Sequence, residues 1–258
     1  MLIIFGIIIS NGPRNFIFCI VFFIFILYNR PKYALETGHR TMTYTELFIF
    51  ILEIVGTIAF ASSGAMTGIR KNMDIFGVNV LGITTAVGGG CVRDLLLGIH
   101  PPKMFQNFAY VGTAILTSCL LFLLFYLKKE LLESSFVEHY ERLMSSLDAV
   151  GLGIFTVTGI RTAMALETSH INNIFLLVFV GATTGIGGGM MRDVMAGNTP
   201  FVFIKHVYAC AALIGAFLYI FLYRLIPDTA AMLISSLTVV VIRLLAAHYR
   251  WNLPRIQK

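Results

Sequence analysis

The chain has 258 residues, of which 57% are hydrophobic and 12% charged, and its formal net charge is +6. A soluble domain carries roughly 25% charged residues; at a mean hydropathy of +0.84 no water-soluble fold hides so much apolar surface, and the solvent implied is lipid. The basic balance does not indicate nucleic acid, because the Lys and Arg residues stand in short segments between apolar runs, as the positive-inside rule expects. Cys19, Cys91, Cys119 and Cys210 lie singly in apolar runs, and the histidines are scattered, so no metal-ligand spacing is present in the sequence.

Residues 1–41 come first and differ from the rest. Met1–Ser10 is apolar, Asn11–Asn15 interrupts it, and Phe16–Tyr28 is apolar again. That second run falls short of the roughly 20 residues a membrane span needs and lacks the small-residue cleavage pattern of a signal peptide. It reads as an N-terminal extension: an eighth helix, an interfacial segment, or sequence upstream of a start at Met42. Seven apolar runs follow, at 46–66, 76–97, 108–127, 147–165, 174–195, 207–225 and 230–247. Between the third and fourth lies the charged connector 128–145, with Lys128, Lys129, Glu130, Glu133, Glu138, Glu141 and Arg142. Segments after the first, third, fifth and seventh runs hold most of the basic residues, among them Arg70, Lys71, Lys205, Arg250 and Lys258. The other face has Lys103 and Arg224, with Arg30, Lys32 and Arg40 ahead of the first run. This bias predicts a cytoplasmic C-terminus.

Two stretches repeat at an offset of 99 residues: Gly82-Ile-Thr84-Thr85-Ala-Val-Gly88-Gly89-Gly90-Cys-Val-Arg93-Asp94 with Gly98 and Pro101, and Gly181-Ala-Thr183-Thr184-Gly-Ile-Gly187-Gly188-Gly189-Met-Met-Arg192-Asp193 with Gly197 and Pro200. Ahead of each, Glu53-x-x-Gly56-x-x-x-Phe60-x-x-x-Gly64 pairs with Asp148-x-x-Gly151-x-x-x-Phe155-x-x-x-Gly159 at an offset of 95. The first three spans therefore repeat as the next three. Three is odd, so the halves cross the membrane in opposite senses, the inverted-repeat plan frequent in transport proteins. The predicted organisation is an extension at 1–41, repeat one at 42–127, the connector at 128–145, repeat two at 146–225, and a seventh helix with a basic tail at 226–258.

Each glycine in a helix interior costs about 1 kcal/mol relative to alanine. Three in a row predict a kink or an unwound turn, whose freed backbone groups must be covered by protein or line a wet cavity. Arg93-Asp94 and Arg192-Asp193 follow at once, and a charge well inside a span costs roughly 2.5–3.5 kcal/mol on insertion scales. Broken helices carrying buried charge point to a translocation path. Each Arg-Asp pair is expected at one end of the constriction, about 10 Å apart along the membrane normal, too far for Arg93 to pair with Asp193. Thr84, Thr85, Thr183 and Thr184 either replace part of an ion's hydration shell or bond back to the preceding turn. Glu53 and Asp148 are read first as solvated residues near helix starts, second as a pore mouth. The stretch Gly89-Gly-Cys-Val-Arg-Asp-Leu-Leu-Leu-Gly98 also resembles a tRNA nucleotidyltransferase motif, but 103–107 offers no carboxylate for Mg²⁺ and the motif lies in a span. No catalytic constellation stands out.

The doubled Gly-Gly-Gly-x-x-Arg-Asp helices, the three-plus-three-plus-one layout and the Glu/Asp-x-x-Gly openings resemble the bacterial members of the trimeric intracellular cation (TRIC) channel family, also labelled glycine transporters. The resemblance covers about 43–250. It implies a seven-helix protomer with its own pore, assembled as a homotrimer, passing monovalent cations, chiefly K⁺. It also implies that the second and fifth spans kink at Gly88, Gly89, Gly90 and Gly187, Gly188, Gly189. The expectation is an all-α membrane protein of the bacterial inner membrane, with two inverted three-helix repeats and a seventh helix. It is expected to pass K⁺ or Na⁺ along a path lined by the threonines and the Arg-Asp pairs, without a cofactor. The alternative is a carrier for glycine or another small zwitterion, held by Arg for the carboxylate and Asp for the amine.

Overall fold

The computed structural model describes residues 44–127, 136–166, 173–204, 207–249 and 251. The sequence readings for residues 1–41 and for the first part of the connector lie outside these residues. The described chain is helical: α1 Tyr44–Arg70, α2 Ile75–Leu96, α3 Lys103–Gln106, α4 Phe108–Leu127, α5 Phe136–Met164, α6 Ile174–Met195, α7 Phe201–Ile204, α8 Tyr208–Leu222 and α9 Asp228–His248. Six of them, α1, α2, α4, α5, α6 and α9, are long and apolar enough to cross a membrane.

Three expectations change. The sixth run, read as 207–225, forms the 15-residue α8, which starts at a left-handed Val207 (φ 55°); that spans about 22 Å against roughly 30 Å of hydrocarbon. The connector is not loop throughout, because α5 begins at Phe136; the stretch has neither Gly nor Pro and is rich in helix formers. The broken second and fifth spans are not broken: α2 and α6 run as α-helix through all their glycines. The missing side chains serve close approach instead.

The ends of α2 and α6 are built alike. Asp74 caps α2 by accepting from the Gly77 N–H at 2.7 Å, and Asn173 caps α6 by accepting from the Leu176 N–H at 3.1 Å. At the other end Gly98 (φ 70°) and Gly197 (φ 68°) turn the chain. The Ile99 and Asn198 amides then bond back to the Asp94 and Asp193 carbonyls at 2.8 Å, the Schellman closure that favours glycine. Arg93-Asp94 and Arg192-Asp193 thus stand in the last turns of their helices rather than mid-span, where a cation meets unsatisfied carbonyls.

The two helices cross backbone to backbone. A Cβ at Gly89 would lie 2.1 Å from the Thr184 carbonyl oxygen, and one at Gly188 would lie 2.1 Å from that of Thr85. Each also packs on its neighbour in the same way: a Cβ at Gly64 would meet Thr85 Oγ1 at 2.5 Å, and one at Gly159 would meet Thr184 Oγ1 at 2.6 Å. Phe60 and Phe155 pack with their tilted rings 5.3 Å apart between centroids. Phe60 fills the space at Gly151, and Phe155 fills that at Gly56. The repeated Gly-x-x-x-Phe spacing is therefore one interlock used twice. The last helix α9 seats against α5 at Gly153, where a Cβ would lie 2.6 Å from the Ser236 carbonyl. Small residues at such contacts are how helices associate where lipid supplies no hydrophobic drive.

Candidate functional site

Beyond the glycine crossing the Arg-Asp pairs organise two charged clusters of one design. In the first, Arg93 Nε and Nη2 both reach Asp94 Oδ1 at 2.8 Å, and Asp94 Oδ2 accepts from the Lys103 backbone N–H at 2.8 Å. In the second, Arg192 Nε and Nη2 reach Asp193 Oδ1 at 2.9 Å, and Asp193 Oδ2 accepts from the Phe201 backbone N–H at 2.9 Å. Each aspartate thus fixes its own arginine and anchors the short helix that follows, α3 or α7. Neither short helix was anticipated from sequence. The anchoring contacts fall at an offset of 98, not 99, because the first loop has Pro101-Pro102 where the second has Pro200 alone.

A carboxylate from the long helix α1 or α5 faces each arginine. Glu53 Oε1 lies 3.9 Å from Arg93 Nη1, and Asp148 Oδ1 lies 2.6 Å from Arg192 Nη1. Glu53 is 7% exposed and Asp148 0%, so neither is the solvated helix-start residue expected first. Tyr110 of α4 donates its hydroxyl to Glu53 Oε2. Its counterpart Tyr208 stands beside Asp148 at Gly189, where a Cβ would meet the Tyr208 hydroxyl at 2.9 Å and Asp148 Oδ1 at 3.3 Å. Sequence reading missed both tyrosines, although they sit at the same offset of 98. Arg93 forms its ion pairs with Asp94 and Glu53, and Arg192 forms its own with Asp193 and Asp148.

The clusters then diverge. The second is sealed: Arg192 Nη1 also donates to Ser63 Oγ at 2.5 Å, the guanidinium lies 4.8 Å over the Phe201 ring, and Arg243 of α9 lies 4.5 Å over Tyr208. The first opens on a cavity of about 40 Å³, lined among others by Glu53, Thr57, Arg93, Asp94, Lys103 and Tyr110 and floored by Ala86, Val87, Gly90 and Phe155. A buried water needs roughly 10–15 Å³ of such space, so the cavity has room for about three. Lys103 from α3 reaches in, its Nζ 3.4 Å from Thr162 Oγ1 on α5. Burial and the nearby Arg93 push its ammonium below the ordinary lysine range, against the opposing pull of Glu53 and Asp94.

The other sequence-selected residues take different roles. Thr85, Thr183 and Thr184 donate to the carbonyls four residues earlier at 2.6–2.7 Å, the back-bonding alternative; Thr84 is half-buried. None of the four lines the cavity. Gly89 and Gly188 make the crossing, Gly187 rests on the Gly89 Cα, and Gly88 receives Met191 Sδ. Gly90 faces the cavity, and Gly189 makes room for Tyr208 and Asp148.

Comparison with known proteins places this geometry among relatives. The sequence model of the Glycine transporter family matches residues 50–126 and 145–224, the two stretches read above as repeats. An inner membrane protein of Escherichia coli K12, YadS of the UPF0126 group, is 33% identical over 210 residues, covering 81% of this chain and 96% of its own. A crystal structure of a prokaryotic TRIC channel in 0.5 M KCl superposes with a TM-score of 0.71 at 31% identity, over 80% of this chain and 99% of that one. The TRIC orthologue from Rhodobacter sphaeroides gives a TM-score of 0.69 at 29% identity, over 78% and 98%.

Proposed function

The chain belongs to the Glycine transporter family, whose fold it shares with prokaryotic TRIC channels, and on that premise we propose that it is a membrane channel passing small monovalent cations, K⁺ or Na⁺, through each protomer. The observation that carries this reading is the pair of buried Arg-Asp clusters flanking the glycine crossing, one of them opening on a cavity with carboxylate and hydroxyl oxygens. Those oxygens can replace an ion's hydration shell. The charges also speak for a monovalent ion. Glu53 and Asp94 are matched by Arg93 and Lys103, which leaves no surplus of carboxylates for Ca²⁺ or Mg²⁺.

Around this path we infer seven membrane segments, with α8 as the sixth, arranged as inverted repeats 42–127 and 146–225 and a final helix. The Arg192 cluster then faces the cytoplasm together with the C-terminus, in the inner membrane of a bacterium. Assembly as a homotrimer follows the relatives described as trimeric. On this reading the backbone contact of Gly89 and Gly188 and the second cluster close the path, and conduction requires α2 and α6 to part.

A glycine carrier is the second reading, and the family's description favours it. Lys103 and Glu53 could take the two ends of a zwitterion. The small cavity of about 40 Å³ favours the smaller ion over glycine's five heavy atoms. The test is purified protein in liposomes, with K⁺ flux compared against uptake of labelled glycine. Cation flux without saturable glycine uptake is expected; saturable uptake with no ion conductance would sink the channel reading.

A further inference from the structure

Lys103 is the least committed charge in the first cluster. Its Nζ has one bond, to Thr162 Oγ1 at 3.4 Å, and among the described residues no carboxylate comes within ion-pair distance of it. Asp94 is adjacent but spent: Oδ1 takes Arg93 twice, and Oδ2 takes the Lys103 backbone N–H rather than the ammonium. Glu53 is turned to Tyr110. At the equivalent place in the second half stands Phe201, which covers Arg192. One end of the path is therefore closed by a fixed phenyl group, and the other holds an ammonium on a flexible four-carbon stem.

We propose that the cavity is a binding site for one small monovalent cation and that the Lys103 ammonium is its built-in competitor, which a permeant ion must displace. The proposal rests on the cation-channel reading. The charge count supports exchange rather than joint occupancy. Glu53 on α1, Asp94 on α2 and Asp228 on α9 balance Arg93 on α2, Arg161 on α5 (paired with Asp228) and the ammonium itself, while Cys91 on α2 and Tyr110 on α4 add neutral groups. A further cation in about 40 Å³ would crowd the positive charges. When K⁺ enters, the ammonium gives up its proton to water and stays in place as the neutral amine. Burial already lowers its hold on that proton, so the ammonium is present below its depressed pKa and lost as pH rises through it. Because Phe201 replaces it at the other end, the competition acts from one face only and makes the current rectify.

The experiment has two arms on the full-length protein. The first measures the pH at which Lys103 becomes half-reactive toward a small acylating reagent, read by mass spectrometry, in KCl and in N-methylglucamine chloride of equal ionic strength. Competition predicts a lower value in KCl, with proton affinity about threefold weaker once K⁺ stands at twice its Kd; equal values in the two salts overturn the proposal. The second arm measures K⁺ current in planar bilayers for wild type, Lys103→Gln and Lys103→Arg. Wild-type current should rise severalfold between pH 7 and 10 and lose its rectification. Lys103→Gln should start high and stay flat, and Lys103→Arg should stay low and rectifying throughout. Wild-type and Lys103→Gln currents that agree in size, rectification and pH profile overturn the competitor while the channel stands. Absent current in both, with glycine uptake present, removes the channel reading and the proposal together.

Discussion

Arg93 and Arg192 occupy matched positions but are held unequally. Both are gripped by the next residue, but Asp148 meets Arg192 at 2.6 Å where Glu53 stands 3.9 Å from Arg93. Removing one partner of a buried pair strands a charge and typically costs about 3–5 kcal/mol. Asp148→Asn should therefore lower stability by about 3 kcal/mol, since Asp193 still neutralises Arg192. Glu53→Gln, beside a wet cavity, should cost under about 1 kcal/mol. Thermal unfolding in detergent compares them, and equal losses would contradict the unequal holding. The same geometry decides which carboxylate can influence an ion. Asp94 and Asp193 fix guanidinium groups and short helices, whereas Glu53 lines the cavity with a single hydroxyl bond. The reversal potential under a KCl gradient should lose cation preference in Glu53→Gln and keep it in Asp193→Asn. The reverse order would return selectivity to the aspartates.

The triple glycines divide into contacts of different strictness. Gly89 and Gly188 sit against carbonyl oxygens of the facing helix, which are backbone and cannot turn aside, whereas Gly90 has only the Arg93 guanidinium, 3.7 Å from where a Cβ would lie. Overpacking a tight contact costs typically 1–3 kcal/mol, while alanine in an unobstructed helix gains up to about 1 kcal/mol over glycine. Gly89→Ala and Gly188→Ala should thus destabilise by about 2 kcal/mol or more, and Gly90→Ala should be neutral or stabilising. Opposite signs in one motif are measurable as shifts in melting temperature; a uniform loss would mean that the helix itself, not the crossing, needs the glycines. Reciprocal packing of Phe60 and Phe155 adds a second joint between α1 and α5.

At the scale of the molecule, two halves of common design have become unequal. The first keeps a cavity, an extra residue in its loop and Lys103; the second is closed by Phe201, and Arg243 from α9 lies over Tyr208. Helix α9 thus does more than fill space. It is tied at its start by Asp228, which accepts from Arg161 at 2.6 Å and from Tyr219 at 2.7 Å, and its Arg243 stacks on the sealed cluster. Residues 44–258 form one compact unit, and the family match begins at residue 50. A chain begun at Met42 should therefore insert and carry K⁺ current like the full chain in the same bilayers, and loss of current on truncation would make the extension part of the working protein.

Composition alone required a membrane protein, because 57% hydrophobic and 12% charged residues cannot be hidden from water. The helix pattern, the doubled motif and its span of residues were also legible, since apolar runs and glycine spacing are local and survive in one dimension. The partners were not. A glycine triplet is compatible with an unwound turn or with a close crossing, and only the Thr85 and Thr184 carbonyls lying on Gly188 and Gly89 decide for the crossing. Arg-Asp adjacency does not say whether the two side chains diverge or grip each other. Nor does it say that Tyr110 arrives beside them from α4, or Lys103 and Phe201 from short helices whose start depends on an aspartate eight or nine residues earlier. Those facts are long-range, set by how two crossed helices bring the ends of other elements together, and for that reason only the tertiary structure could supply them.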